Sequence, residues 1–266
     1  MTGNRDRVLG RTGVKVCRLG VASSYGAPAE AFEEAFERGC NYFYYGWKRD
    51  KGMHQAIGNL CRKGKRDDMI IVYHSYDRFG FFLKGFYKNA MKSLGLDRVD
   101  VLLLGWHNRS VSPRLIDQAV KMKEKGLVRF VGMSGHNRSL FPVMAETGSF
   151  DLFHVRYNAA HRGAEDEVFP RLPERRPGIV TYTATRWGQL LDPRKMPPGQ
   201  QPPPPRNCYR FVLTNPDVDV CLCGPSNREQ MREALAALDE GPLDQREMQR
   251  MRRIGDYVHQ HSRSLY

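Results

Sequence analysis

A short segment near the C-terminus has the composition of a site that binds an anion. Cys221–Cys223 reads as a buried strand, Gly224 as a turn, and the residues that follow as the start of a helix. Such a turn directs the unpaired N–H groups of a helix N-terminus towards a negatively charged group. Arg228 and Arg232 add positive charge, and Ser226 is a candidate N-cap. The simpler alternative is a capped helix that follows a strand and binds nothing.

The spacing of apolar residues predicts the elements that must hold this segment. Eight short apolar runs, bounded mostly by Gly, Asp or Asn, predict β-strands. They are Arg18–Ala22, Asn41–Tyr44, Met69–His74, Val99–Leu104, Val128–Met133, Phe150–Val155, Gly178–Thr183 and Val218–Leu222. Stretches with helical spacing separate most of them, the clearest being Ala29–Arg38, Pro113–Lys125 and Asn227–Leu238. This alternation predicts a parallel sheet with helical crossovers, and eight strands favour a single α/β domain over residues 1–266, a (β/α)8 TIM barrel.

One stretch, Pro193–Pro205, has the composition of a linker. It interrupts the seventh crossover and does not separate two halves, so we interpret it as a polyproline loop at the top of the barrel. After the last crossover, Gly241–Ile254 predicts one added C-terminal helix.

The net charge of +13 raises the question of nucleic-acid binding. The Lys and Arg residues are scattered, so we expect a solvated basic surface and no nucleic-acid partner. No apolar run is long enough to span a membrane and no apolar signal segment follows the polar N-terminus, so we expect no membrane partner and a cytoplasmic location. The six cysteines form no CxxC pair, which predicts reduced thiols and no metal site. We expect a small-molecule partner and a monomer or weak homo-oligomer.

The predicted strands, taken in order, resemble the aldo-keto reductase family from about Leu9 to Leu238. The segments that carry the resemblance are Leu9–Val16, Leu19–Ser23, Asp100–Leu104, Gly126–Ser134, the pair Tyr157-Asn158, Gly188–Leu190 and Cys221–Glu233. The resemblance implies a barrel whose bottom is closed by an N-terminal β-hairpin. It also implies an oxidoreductase that binds NADP(H) in the barrel mouth.

In that family, a Ser, a Gln, a Glu and an Asn around the last barrel helix hold the adenosine part of NADPH. Ser226, Gln230 and Glu233 match the first three, whereas Ala234 replaces the Asn. The cofactor-binding residues that the resemblance implies are Ser23, Ser134, His154, Tyr182, Gly224, Ser226, Asn227, Arg228, Gln230 and Glu233.

The nicotinamide end matches the family less closely. Ser134 is retained, Gly135 replaces the family's Asn, and His154 stands at the position of its Gln. An imidazole still donates one hydrogen bond to a carboxamide oxygen. Tyr182 falls near the position of the aromatic residue that stacks on the nicotinamide.

The catalytic Asp, Tyr, Lys and His of the family are all replaced. Tyr44, Arg49, His74 and Gly105 stand at those four positions. We expect Tyr44 and His74 to project into the barrel mouth from strand ends and to act as a proton-donating pair. We expect Arg49 to bind a substrate carboxylate by a two-point contact.

Three interpretations of this altered site stay open. The first is an atypical NADP(H)-dependent oxidoreductase that reduces a carbonyl, imine or activated alkene in a small aromatic or carboxylate-bearing molecule. The second is a non-redox isomerase or lyase, in which His74 and His107 act as acid and base. The third is a sensor that binds the cofactor without turnover. The candidate substrate-binding residues, most of them aromatic, are Tyr25, Tyr45, Trp47, Trp106 and His107.

Overall fold

The computed structural model describes residues 5–46 and 50–261, and its described residues form a closed barrel of eight parallel strands preceded by a two-stranded antiparallel hairpin. The hairpin strands are β1 (Asp6–Val8) and β2 (Lys15–Cys17). The barrel strands are β3 (Leu19–Ala22), β4 (Tyr42–Tyr45), β5 (Ile70–Ser75), β6 (Val99–Leu104), β7 (Val128–Gly135), β8 (Leu152–Arg156), β9 (Gly178–Tyr182) and β10 (Val220–Cys223), and β10 closes on β3. The predicted (β/α)8 TIM barrel with an N-terminal β-hairpin is confirmed, with small shifts at the strand ends.

Amphipathic helices surround the barrel and bury their apolar faces against the strands. They are α1 (Ala29–Glu37), α2 (Lys51–Arg62), α3 (Leu83–Leu94), α4 (Pro113–Glu124), α5 (Leu140–Glu146), α6 (Ala164–Glu167), α7 (Pro205–Thr214), α8 (Arg228–Glu240) and α9 (Gln245–His261). No helix in these described ranges has the length and apolar character needed to cross a membrane.

The added C-terminal helix is present, but its predicted bounds were wrong. A reciprocal pair of hydrogen bonds sets its start: the N–H of Glu247 donates to Asp244 over 2.7 Å, and the N–H of Asp244 donates to Glu247 over 3.1 Å. This capping box places the helix start beyond Gly241 and Pro242. The helix then continues to His261, so α9 is longer than the sequence pattern indicated.

Side chains alternate along each strand between the barrel interior and the layer of helices. Leu9 and Val16 of the hairpin are buried in the interior cluster and close the barrel bottom. A Cβ at Gly10 would overlap the backbone of Gly178, so glycine allows the hairpin to approach β9 closely. The six cysteines are free, as expected.

Three aspartates tie neighbouring strands together near the barrel bottom. Each accepts a hydrogen bond from the backbone N–H of the preceding strand: Asp100 from Ile71, Asp151 from Val131, and Asp219 from Ile179, over 2.8–3.0 Å. Each also pairs with a basic side chain, and Asp219 takes two hydrogen bonds from Arg176. Residues at this end of a barrel stabilise the fold, whereas the active-site loops lie at the opposite end. We therefore expect the three aspartates to stabilise the barrel and to take no part in catalysis.

The proline-rich loop lies between β9 and α7, where the sequence placed it. It begins with a 3-10 turn at Pro193–Lys195, and Pro205 is the first residue of α7. Arg250 of α9 donates to the carbonyl oxygen of Gln201 over 2.8 Å. The loop therefore packs against the added C-terminal helix.

Candidate active site

Tyr44 and His74 meet at the upper ends of two neighbouring strands. Tyr44 lies on β4 and His74 on β5, and the Tyr44 hydroxyl shares a hydrogen bond with His74 Nδ1. Their ring centroids are 5.6 Å apart. The structure thus brings together the two residues that the sequence singled out as a proton-donating pair.

The His74 ring fills the space that a side chain at position 105 would need. A Cβ built on Gly105 would overlap His74 Nε2. Nε2 is buried and has no hydrogen-bond partner among the described residues. Glycine at this strand end therefore admits a neighbouring imidazole rather than a ligand, and it leaves one imidazole nitrogen unpaired.

Burial controls the charge of this pair. It lowers the pKa of His74 to about 3, and the electrostatic effects of the nearby Arg78 and His107 act in the same direction. Burial also raises the pKa of Tyr44 far above its usual value. Both groups are therefore neutral near pH 7. A neutral imidazole with its proton on Nδ1 donates to the Tyr44 oxygen and leaves the phenol proton free for another acceptor.

His154 lies deeper in the barrel, on β8. Its ring centroid is 5.5 Å from that of Tyr44, and its Nε2 is 2.8 Å from the hydroxyl of Tyr42. Burial lowers the pKa of His154 to about 3. The sequence placed His154 at the nicotinamide carboxamide, but Tyr42 already occupies Nε2, which leaves only Nδ1 for a ligand. Tyr42, two residues before Tyr44 on the same interior face, was not among the predicted site residues.

The other predicted nicotinamide residues are hydrogen-bonded to the surrounding loops. Ser134 Oγ accepts from the N–H of Trp106 over 3.1 Å, and the Tyr182 hydroxyl donates to the Gly135 carbonyl over 3.0 Å. A Cβ at Gly135 would overlap the carbonyl oxygen of His107. The loop after β6 therefore excludes the Asn side chain that the family carries at this position.

Ser23 joins the ends of the first two barrel strands. Its Oγ accepts from the N–H of Gly46 over 2.8 Å, and the side chain is buried. Of the predicted substrate-binding residues, Trp106 is exposed at the mouth and packs edge-on against Tyr76 at 5.7 Å between centroids. Tyr25 covers Gly224, because a Cβ there would overlap its ring.

Tyr45 does not lie where the sequence predicted, and two other predicted residues are outside the part of the chain that the structure describes. Tyr45 points away from the mouth and packs edge-on against His54, at 6.4 Å between centroids. Strand alternation is the reason, since Tyr44 beside it points inward. The prediction that Tyr45 lines the substrate site was therefore wrong. Trp47 and Arg49 lie outside the described residues.

His107 lies in the loop after β6 and is engaged by a neighbouring cation. Its Nε2 is 3.2 Å from a guanidinium nitrogen of Arg78, which also donates to the Gly105 carbonyl. Burial and the charge of Arg78 lower the pKa of His107 to about 4. Among the described residues it is thus a neutral histidine held in place by an arginine.

The predicted anion site lies at the N-terminus of α8. The N-cap is Asn227 and not Ser226 as predicted: Asn227 Oδ1 accepts from the N–H of Gln230 over 2.9 Å. Ser226 instead donates from both its N–H and its hydroxyl to Gln230 Oε1, each over 2.9 Å. The side chains of Ser226, Asn227, Arg228 and Gln230 are all exposed.

The positive charge at this end is partly neutralised. Arg228 and Arg232 both pair with Glu34 of α1, at 3.0 and 2.7 Å. These two arginines hold the pKa of Glu34 below its usual range, with Arg232 contributing most. Glu233 pairs with Arg206 of α7 at 2.9 Å. An incoming anion must therefore compete with Glu34 for these two arginines.

Arg156 is a candidate site residue that the sequence reasoning missed. It ends β8, directly beside Tyr182 in the strand register, and its side chain is half-buried. It makes no hydrogen bond or ion pair with any described residue, and burial lowers its pKa. The sequence could have indicated Arg156, because it lies two residues after His154 and therefore on the same side of the strand.

Backbone strain marks the same face of the barrel. Among the described residues, four that are not glycine have left-handed backbone angles, with φ between 52° and 64°: Trp106, Thr183, Arg186 and Trp187. All four follow the upper ends of β6 and β9. Such angles cost about 1 kcal/mol or more per residue and cluster at functional sites.

Comparisons with known proteins find two relatives in sequence and solved structures with the same fold. No family model matches the chain. The chain is 25% identical to an L-galactose dehydrogenase of Arabidopsis thaliana, covering 90% of each, and 19% identical to an uncharacterized oxidoreductase of Bacillus subtilis, covering 92% of this chain and 94% of the relative. The holo form of an aldo-keto reductase from Bacillus halodurans superposes with a TM-score of 0.78 at 20% identity, over 94% of this chain and 96% of that one. Its apo form gives 0.77.

Proposed function

We propose that this chain is an atypical NADP(H)-dependent oxidoreductase. The premise is that it has the aldo-keto reductase fold and resembles that family in sequence. The observation that carries the proposal is the hydrogen-bonded pair Tyr44–His74 at the upper strand ends, where barrel enzymes place their chemistry. A buried titratable pair at this place is typical of a reacting site. The six free cysteines fit the cytoplasmic location that we propose with it.

The donor set near α8 fits the adenosine phosphate of NADP(H). The exposed Ser226 hydroxyl, the helix N-terminus behind Asn227 and the guanidinium of Arg228 are all groups that bind phosphate. At the other end, the Ser134 hydroxyl keeps a proton to donate, because its oxygen accepts from Trp106. The Tyr182 ring supplies an aromatic face in the barrel interior.

When bound, the cofactor supplies a hydride. The chain's own contribution is a proton donor, since the Tyr44 hydroxyl would give its proton to the substrate. His74 with its proton on Nδ1 donates to the same oxygen and stabilises the negative charge left there.

The pair is a weaker acid than a tyrosine beside a lysine, because burial raises the pKa of Tyr44 and leaves His74 uncharged. We therefore propose an imine or activated alkene as substrate, since these need less help from an acid than a ketone. The unpaired guanidinium of Arg156 suits a carboxylate on the same molecule.

The first experiment is a fluorescence titration of the protein with NADPH and then with NADH. Micromolar binding of NADPH with weaker binding of NADH supports the proposed α8 site and opens a substrate screen by loss of NADPH absorbance. Absence of binding to both cofactors contradicts the redox proposal and leaves a cofactor-free barrel.

Variants of the pair separate chemistry from binding. His74→Ala and Tyr44→Phe are expected to lower kcat by about 100-fold or more with little change in the affinity for NADPH, because general acid catalysis contributes on that order. Tyr73→Phe is the control, because Tyr73 lies on the same strand but packs outward against Tyr87. Full turnover in both site variants refutes the assignment. Tight NADPH binding without turnover on any aldehyde, ketone, imine or enone indicates a sensor, and turnover without cofactor indicates a non-redox enzyme.

A further inference from the structure

Four phenylalanines form an exposed aromatic patch beside the barrel mouth. Phe79, Phe81 and Phe82 lie in the loop from β5 to α3, and Phe86 lies in the first turn of α3. Their side chains are 66%, 62%, 67% and 53% exposed. We call these four residues the aromatic patch. The rings of Phe82 and Phe86 pack at 6.0 Å between centroids. Exposed apolar residues that cluster in this way mark interaction sites more often than single scattered ones do.

The loop that carries the patch is held in shape by a buried carboxylate. Asp77 accepts hydrogen bonds from the N–H groups of Phe79, Gly80 and Phe82, over 2.8, 2.9 and 3.0 Å. Gly80 has a φ of 84°, which glycine adopts readily. Asp77 is the one acidic side chain in this segment, and it holds the loop backbone in a conformation that leaves the phenylalanine rings exposed.

The surroundings of the patch are positively charged. Lys84, Lys88 and Lys92 of α3 make no ion pair with any described residue, and residues 76–96 contain no acidic side chain other than Asp77. The guanidinium of Arg114 lies 3.9 Å from the centre of the Phe81 ring. The segment from Phe79 to Lys92 thus carries the exposed rings together with three lysines that have no ion pair among the described residues.

We propose that the aromatic patch and the lysines of α3 bind the surface of an anionic phospholipid bilayer. Aromatic side chains insert at the level of the headgroups, and each nearby lysine is attracted by the negative surface potential. A second copy of the chain fits less well, because a two-fold contact through this patch would bring the lysines of both copies together. The expectation of no membrane partner rested on the lack of a spanning segment, which does not bear on surface binding.

The position of the patch connects the proposed bilayer contact to the site. Tyr76 begins the same segment, packs edge-on against Trp106, and lies 4.3 Å from His74 between ring centroids. The patch therefore lies on the mouth side of the barrel, and the proposed contact would bring the mouth with Tyr44 and His74 close to the bilayer surface. Lipid binding itself does not depend on the proposed redox function.

The test is co-sedimentation of the full-length protein with vesicles of phosphatidylcholine alone and of phosphatidylcholine with phosphatidylserine. We expect binding to the anionic vesicles that weakens with added salt and little binding to the neutral ones. Phe79→Ser with Phe82→Ser is expected to lower the partition coefficient by about tenfold or more. Lys84→Gln with Lys88→Gln is expected to lower it by roughly thirtyfold, since each lysine near such a surface contributes on the order of fivefold.

Matched variants control for the loss of apolar surface and of charge. Val143→Ser removes an exposed apolar side chain on α5, and Lys121→Gln with Lys125→Gln removes two positive charges near the end of α4. Both controls are expected to bind like the unaltered protein. Absence of binding to anionic vesicles, or equal losses in test and control variants, overturns the proposal. Self-association in sedimentation velocity that the phenylalanine variants abolish, without vesicle binding, overturns it in favour of a second copy.

Discussion

At the residue scale, the contact between His74 and Gly105 can be tested with a variant that leaves the side chains of Tyr44 and His74 unchanged. Gly105→Ala places a methyl group against Nε2 and must displace the imidazole. We expect a loss of about 1–3 kcal/mol in the free energy of unfolding, together with a fall in kcat, because overpacking moves the ring that holds Tyr44. Gly85→Ala in α3 is the control, since a Cβ there meets no atom within 4 Å. Equal stability and turnover in the two variants contradicts the packing argument.

A second residue-scale prediction concerns Arg156, whose guanidinium has no partner among the described residues. Arg156→Met is expected to raise KM for a carboxylate-bearing substrate roughly 10- to 100-fold, because a charge-assisted hydrogen bond contributes about 1.5–3 kcal/mol. The same variant should leave KM for the corresponding amide nearly unchanged. Arg109→Met, an exposed arginine in the loop after β6, serves as the control. An equal rise for acid and amide assigns Arg156 to packing.

At the scale of elements, Asp219 links three parts of the barrel bottom. It accepts from the N–H of Ile179 on β9 and pairs with Arg176 and Arg7, and its side chain is buried. Asp219→Asn leaves two arginines without their carboxylate, so we expect a loss of about 2–4 kcal/mol in the free energy of unfolding by urea, with NADPH affinity unchanged. Asp97→Asn, an exposed aspartate, is expected to change stability by under about 0.5 kcal/mol. Similar small losses in both variants would show that the linkage contributes little.

At the scale of the whole molecule, buried neutral histidines make stability depend on pH. Burial lowers the pKa of His74 and of His154 to about 3, from about 6.5 in the unfolded chain. The unfolded state therefore binds more protons, and stability is lost as pH falls below about 6.5. At pH 5.5 each of the two costs about 1 kcal/mol relative to pH 7.5. Because His74 stays neutral over this range, kcat should not fall through its protonation.

Urea unfolding at the two pH values checks this expectation. The variant His154→Gln removes one of the two groups, so its loss of stability between pH 7.5 and 5.5 should be smaller than that of the unaltered protein by about 1 kcal/mol. An unchanged difference in this variant indicates that the pKa of His154 is the same in the folded and the unfolded state.

The barrel could be predicted because parallel strands covered on both faces leave near-continuous apolar runs in the sequence. The details of the mouth could not. The run Tyr42–Tyr45 contains three tyrosines and a phenylalanine, so no alternation in polarity indicates that Tyr44 points inward and Tyr45 outward. The contact between Tyr42 and His154 crosses the barrel and joins residues 112 positions apart. The N-cap at Asn227 depended on a choice between two adjacent residues of equal capping tendency.

The fit of His74 against Gly105 also restricts the order in which positions 74 and 105 can be changed. A histidine introduced at position 105 while His74 is present would force two imidazoles into one volume. Replacing His74 first meets no such obstacle. The two positions are therefore coupled, and a side chain at position 105 fits only after the residue at position 74 has changed.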